Sequence, residues 1–228
     1  MRMMRKALVV AALATVAVAA GAATRPNWNS YVVETEGGGH RLGNPAAKVP
    51  VIEFVSYTCS HCAHFEKESD GPLRLSYIAP GKASFEVRPF IRNPVDLAAT
   101  LLAECGPKEK FFANHTAILR SQDQWLKRIS ETTAATQARW RTGSMPERMR
   151  AVAGDAGFYE IMARRGYDRV ATNKCLAEEA VARRIAAQSK ADADSFGIEG
   201  TPSFAIGGKL LDNVHTWETL QQAIDSRL

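Results

Sequence analysis

The sequence lacks most of the features that ordinarily assign a function. Its four cysteines include one close pair only, so the second knuckle that a structural zinc site needs is missing. No run of Lys and Arg is interleaved with aromatics, which removes the usual footprint of a nucleic-acid surface. No internal repeat occurs, and the alanine-rich leader is the one low-complexity stretch. The longest uncharged run, residues 7–24, has an apolar part too short for a comfortable membrane span. What remains is a moderately sized chain whose chemistry is concentrated in a few residues.

The N-terminus reads Met1-Arg2-Met3-Met4-Arg5-Lys6, followed by an apolar stretch and then Ala20-Gly21-Ala22, a small-x-small cleavage pattern. This is the layout of a secretory signal peptide over residues 1–22, and it predicts export. The formal charge of +5 shrinks accordingly. Without Arg2, Arg5 and Lys6, Lys+Arg falls from 29 to 26 against 24 acids, about +2. The remaining length of about 205 residues suffices for one good core with an inserted subdomain. An even number of cysteines suits an oxidising compartment.

The informative segment is Phe54-Val55-Ser56-Tyr57-Thr58-Cys59-Ser60-His61-Cys62. A strand-like run feeds two cysteines three apart, and a helix-compatible stretch follows. A thiol in the first turn of a helix meets unpaired backbone N–H groups and the positive end of the dipole, both of which favour a thiolate. The thiolate is the reactive species, and Cys62 lies one turn on, close enough to close a small disulfide ring. A metal half-site and an inert disulfide are the competing readings. Against metal, Cys105 and Cys175 stand far apart, while His61 and His64 share the same short segment as the pair.

Around this segment the pattern predicts a short strand at Tyr31-Val32-Val33, a break at Gly37-Gly38-Gly39, and a turn at Leu42-Gly43-Asn44-Pro45. A strand over 51–57 follows, then a helix from Cys59 to about Ser69, broken near Gly71-Pro72, with Leu73 to Ile78 as a candidate continuation, and an alternating strand over 84–88. From Pro94 to about Ser195 strand signals vanish and helix-spaced apolar sets such as Phe111, His115, Ile118 and Leu119 take over. Thr201 to Ile206, Gly207-Gly208 and Lys209 to Leu211 read as a β-hairpin, and a last helix opens at Thr216. The organisation is β-α-β over 23–93, helices over 94–195, then β-β-α over 196–228.

A strand, Cys-x-x-Cys at a helix start, a distant Thr-Pro opening a hairpin and a helical insertion between them together resemble the DsbA-like thioredoxin-fold oxidoreductases. The resemblance covers roughly Val49 to Leu228, and Glu53-Phe54-Val55-Ser56-Tyr57-Thr58-Cys59-Ser60-His61-Cys62 is specific within it. It implies an α/β thioredoxin fold with an all-helical domain inserted between its two halves. Cys59 is then the nucleophile and Cys62 the resolving thiol. Thr201-Pro202 is the loop that faces the dithiol, with a cis peptide bond, and pairs with an extended substrate. A protonated His61 would stabilise the Cys59 thiolate. Glu53 is the buried acid that takes the Cys62 proton, unless strand alternation turns it to solvent; Lys82 is the nearest candidate for its lysine partner. The resemblance also implies a structural disulfide between Cys105 and Cys175, the alternative being two unpaired buried thiols.

The implied activity is thiol–disulfide exchange in the periplasm. It needs no organic cofactor or metal, takes cysteine-containing exported proteins as substrates, and is renewed by a membrane partner resembling DsbB. A monomer that binds no nucleic acid is expected. The rival readings are a reductase or isomerase of the same fold, to which Thr201 before the proline points, and a non-catalytic peptide-binding chaperone. Little room for a separate dimerisation domain precedes Val49, and both active cysteines are retained. The reduction potential is expected between the ~−120 mV of DsbA and the ~−270 mV of thioredoxin.

Overall fold

The computed structural model describes residues 26–228; the leader read over residues 1–22 lies outside them. A six-stranded sheet runs in the order β1-β2-β4-β3-β5-β6. Its strands are β1 Val32–Glu34, β2 His40–Gly43, β3 Val49–Val55, β4 Ala83–Pro89, β5 Ser203–Ile206 and β6 Lys209–Leu210. Only β3 and β4 run parallel, joined by the crossover helix α1 Ser60–Leu73, as a parallel pair requires. β5 returns antiparallel along the other side of β3. This places β3 between two strands, with Val51, Phe54 and Val55 all buried.

The strand β2 corrects the turn read at Leu42-Gly43-Asn44-Pro45. His40 to Gly43 pairs with both β1 and β4, and its four residues are too few to show alternation. The central strand spans Val49–Val55 rather than 51–57, so Ser56-Tyr57-Thr58 forms the elbow into α1. Nor does α1 break at Gly71-Pro72. Pro72 is carried inside the helix, which passes into a π-type turn over Arg74–Ile78, where packing of the buried Leu73, Tyr77 and Ile78 outweighs a lost backbone bond. The hairpin turn is Gly207-Gly208, with φ of 60° and 78°, the left-handed backbone that a tight two-residue turn needs.

Between β4 and β5 lie eight helices: α2 Pro94–Ala103, α3 Phe111–Arg120, α4 Gln122–Ser130, α5 Ala134–Ala138, α6 Met145–Ala156, α7 Phe158–Arg164, α8 Arg169–Cys175 and α9 Glu179–Phe196. Gly154 lies within α6, which ends at Gly157, whose φ of 78° terminates the helix. Cys105 and Cys175 are bonded to each other, 70 residues apart in sequence and 5.5 Å between Cα atoms. One apolar core joins the sheet, α1 and the inserted helices, and takes in Leu220 and Ile224 of the closing helix α10 Trp217–Asp225. Phe54, Ala205 and Ile198 make a second, smaller cluster.

Candidate active site

Cys59 is the N-cap of α1, with extended backbone (φ −90°, ψ 120°). Its side chain therefore sits where the free N–H groups of the first turn converge. Both Cys59 and Cys62 are free thiols and buried. The Cys59 pKa is lowered to about 4, first by the S–H of Cys62 donating to it. Burial opposes this; the Thr201 hydroxyl and the backbone N–H groups of Cys62 and His61 add to it. Cys62 is pushed well above the ordinary range, by burial first, then by its bond to Cys59 and the charge of Glu53. Two identical thiols three residues apart are thus split into a stable thiolate and a reluctant one.

The residues read from the sequence converge here, with one change of emphasis. Thr201-Pro202 is cis, and the Thr201 carbonyl accepts a hydrogen bond from the Cys59 thiol at 3.0 Å, so this loop faces the dithiol. Glu53 does not turn to solvent. It is 1% exposed, because β3 is flanked by β4 and β5 and Glu53 lies on the face it shares with the buried Val49, Val51 and Val55. Burial, then the charges of Glu66 and Cys59, push it well above the carboxylate range. Lys82 is no partner for it: its carbonyl accepts from the Val49 N–H, at the opposite end of β3. His61 acts on Cys59 through its backbone N–H, while the residue itself is exposed.

Several residues that hold the site carry no such signal in the sequence. Asp96, fully buried in α2, accepts hydrogen bonds from the Ser56 hydroxyl (2.9 Å), the Thr58 N–H (2.8 Å) and the Arg92 N–H (3.0 Å). Asn93 caps α2 by accepting from the Val95 and Asp96 N–H groups and donates to the Thr58 hydroxyl at 3.0 Å. Gln122, at the start of α4, donates to the carbonyls of Tyr57 (2.6 Å) and Cys59 (2.8 Å). The elbow backbone groups are thus tied down by side chains of the inserted helices. Asn93-Pro94-x-Asp96 is legible as a helix start, but nothing local ties it to a residue 35 positions away. Glu66 and His115 were likewise read only as parts of helical patterns.

The thioredoxin family profile matches residues 35–226. Two relatives carry the name "Putative protein-disulfide oxidoreductase": one from Rickettsia bellii, 27% identical, and one from Rickettsia typhi, 28% identical, each over 188 residues and 82% of this chain. The chain spans 63% and 61% of their respective lengths. A protein-disulfide isomerase from Novosphingobium aromaticivorans is 46% identical with a TM-score of 0.80, the match covering 83% of this chain and 97% of that one. The α-DsbA1 of Wolbachia pipientis shares the fold, with a TM-score of 0.64 at 22% identity, over 83% and 90% of the two chains. The chain therefore belongs to the thioredoxin family and has a DsbA-like fold.

Proposed function

We propose that this protein oxidises cysteine pairs in exported proteins by thiol–disulfide exchange at Cys59 and Cys62. The observation that carries the reading is the division of the pair, with Cys59 acidified to about 4 and Cys62 pushed the other way. A thiolate exists only in the reduced enzyme, so whatever stabilises it favours reduction of the enzyme and makes its disulfide a better oxidant. Each pKa unit corresponds to about 1.4 kcal/mol, or roughly 30 mV for this two-electron couple.

The cycle follows from the geometry. A substrate thiolate attacks the Cys59 sulfur; the Cys59–Cys62 bond breaks and its electron pair leaves on Cys62. Glu53, held protonated by burial, supplies the proton that the Cys62 thiolate takes up. A second substrate thiolate then attacks the substrate sulfur of the mixed disulfide and expels Cys59 as a thiolate, a good leaving group because it is acidic. The substrate loses two electrons, which the enzyme dithiol holds until an oxidant takes them. A quinone-linked membrane partner resembling DsbB fits that role, and the leader over residues 1–22 supports a periplasmic setting. Thr201-Pro202 presents the strand edge for an extended substrate segment.

A reductase or isomerase role is favoured by one observation, the 46% identity to a chain described as a protein-disulfide isomerase. Equilibration with glutathione, read by alkylation mass, separates the two. The oxidase reading expects a potential above thioredoxin's ~−270 mV; a value at or below it promotes the reductase.

A further inference from the structure

One of the side chains that hold the redox elbow also opens onto a cavity. Arg92, between β4 and α2, donates from Nε to the Ser56 hydroxyl and from Nη2 to the Thr58 hydroxyl, each at 3.0 Å, and Thr58 directly precedes Cys59. The same Arg92 lines a cavity of about 270 Å³ together with Arg148, Trp140, Met149, Leu97 and Pro94, among others. The roughly 300–1,000 Å³ usual for an organic ligand is larger; this space suits the side chains of a bound polypeptide. We propose that the cavity is a specificity subsite, in which Arg148 and Arg92 take the carboxylate of an Asp or Glu standing near the reacting cysteine of a protein substrate. The proposal rests on the exchange chemistry proposed above.

The cavity is built for a negative charge. None of its lining residues is acidic. Arg148, on α6, has its Nε buried without a hydrogen-bond partner among the described residues, an N–H that costs free energy until an acceptor arrives. Asp96 Oδ2 stands 3.8 Å from Arg92 Nε, but this carboxylate already accepts from the Ser56 hydroxyl and from the N–H groups of Thr58 and Arg92. One engaged acid therefore faces two guanidinium groups. Trp140 Nε1 donates to Asp155 at 2.8 Å, which satisfies the polar end of the indole and leaves its carbons to line the cavity. With Met149, Leu97 and Pro94 beside it, the wall is apolar, and a charge-assisted bond is stronger in such a setting than in water. The planar guanidinium fork fits a carboxylate through two parallel bonds.

Position selects the occupant. Because Arg92 belongs both to the cavity and to the elbow, a group that fills the cavity lies within a few residues of the attacked sulfur. An extended substrate advances about 3.3 Å per residue, so an acid about two to four positions from its cysteine comes level with this loop. Thr201-Pro202 then meets the substrate backbone, which every protein offers alike, while the cavity reads one side chain. Arg148 is a binding residue, and its effect falls on which substrates are chosen. It is also the cleaner probe of the pair. The elbow's side-chain bonds go to Arg92, Asn93, Asp96 and Gln122, so a change at Arg148 leaves them in place.

The test is single-turnover oxidation of synthetic dithiol peptides by the disulfide form of the protein, read by intact mass. The peptide loses two electrons to the Cys59–Cys62 disulfide, so no further oxidant is needed. The peptides differ only in carrying Glu, Gln or Lys near each cysteine, and a control carries its Glu far along the chain. Wild type is expected to oxidise the near-Glu peptide about tenfold faster than the near-Gln peptide, the near-Lys peptide slowest, and to gain little from the distant Glu. Arg148→Glu should reverse the order in favour of Lys, and Arg148→Lys should keep a weakened preference for Glu. The Cys59 thiolate transition should stay at about 4 in both variants, a readout that a disturbed elbow would move. Should Arg148→Glu fail to fold, the wild-type series and Arg148→Lys decide. Equal rates with near Glu and near Gln in wild type, or a Glu preference that survives Arg148→Glu, overturn the subsite. Equal acceleration by the distant Glu marks long-range attraction and overturns it as well. A wild type that oxidises none of the peptides overturns the parent reading.

Discussion

The molecule carries two cysteine pairs whose settings differ in almost every respect. Cys59 and Cys62 lie three apart on one helix start, free and among polarised groups. Cys105 and Cys175 lie 70 apart and are bonded to each other. Around Cys105, the neighbouring polar groups bind its backbone and leave the sulfur alone. Its carbonyl accepts from the Tyr167 hydroxyl at 2.6 Å and from Asn114 at 3.2 Å. Around Cys59 the backbone is held in the same way, its carbonyl accepting from Gln122 at 2.8 Å, but N–H and S–H groups also point at the sulfur, with the Thr201 hydroxyl beside it. What separates the redox pair from the staple is that its neighbours address the sulfur as well as the backbone.

The contrast is broken most severely by exchanging the fates of the two pairs. Cys59→Ser should abolish disulfide exchange, whereas removing the other bridge by Cys105→Ala with Cys175→Ala should leave the exchange rate intact. The double variant should instead lose roughly 4 kcal/mol of stability on the chain-entropy model, given the loop that bridge closes. An insulin-reduction assay beside a urea melt reads both. Loss of exchange in the double variant would show that the bridge is coupled to the chemistry.

The next largest effect concerns the acid beneath the pair. Glu53→Gln should slow exchange about 10²-fold, a usual contribution for a positioned acid–base group. It should also raise stability at high pH. A carboxyl whose folded pKa is raised contributes most below its unfolded pKa, near 4.5, and that contribution is lost as pH rises through the folded value. Denaturant melts of wild type and variant at acid and alkaline pH check the sign; the gain should vanish in acid.

A smaller, reversible effect follows from the Cys59 pKa itself. Being depressed, it contributes stability to the reduced protein that is complete above the ordinary cysteine range and lost as pH falls through about 4. The reduced form should therefore outlast the oxidised form in urea at neutral pH, with the margin closing toward pH 4. Smallest of all, Thr201→Val should raise the Cys59 pKa slightly, by replacing a hydroxyl beside the sulfur with a methyl group. His61→Ala should move it less, because the backbone N–H through which His61 acts remains. A larger shift from His61→Ala would restore a direct role to the imidazole.

What the sequence disclosed follows the same division. The reactive pair was legible because its chemistry is local: a strand, a thiol at a helix start and a resolving thiol one turn on. Thr201-Pro202 was legible through resemblance, as was the Cys105–Cys175 bond. The strand β2 was not, since three glycines and a four-residue strand mask any alternation. Glu53 was ambiguous because the face it shares with Val49, Val51 and Val55 is the buried one, and a carboxylate in sequence does not announce burial. The supporting residues Asp96, Asn93 and Gln122 were invisible for a further reason. Each bonds the elbow across 35 to 65 residues of chain, a distance over which composition and spacing carry no information.

The central claim is that the surroundings of Cys59 make it a thiolate at working pH. Thiolate absorbance of the reduced wild-type protein, followed against pH, tests this most directly. A first transition near 4 is expected, with Cys62 ionising only well above the ordinary range. A first transition near the unperturbed value of about 8.5 would contradict it.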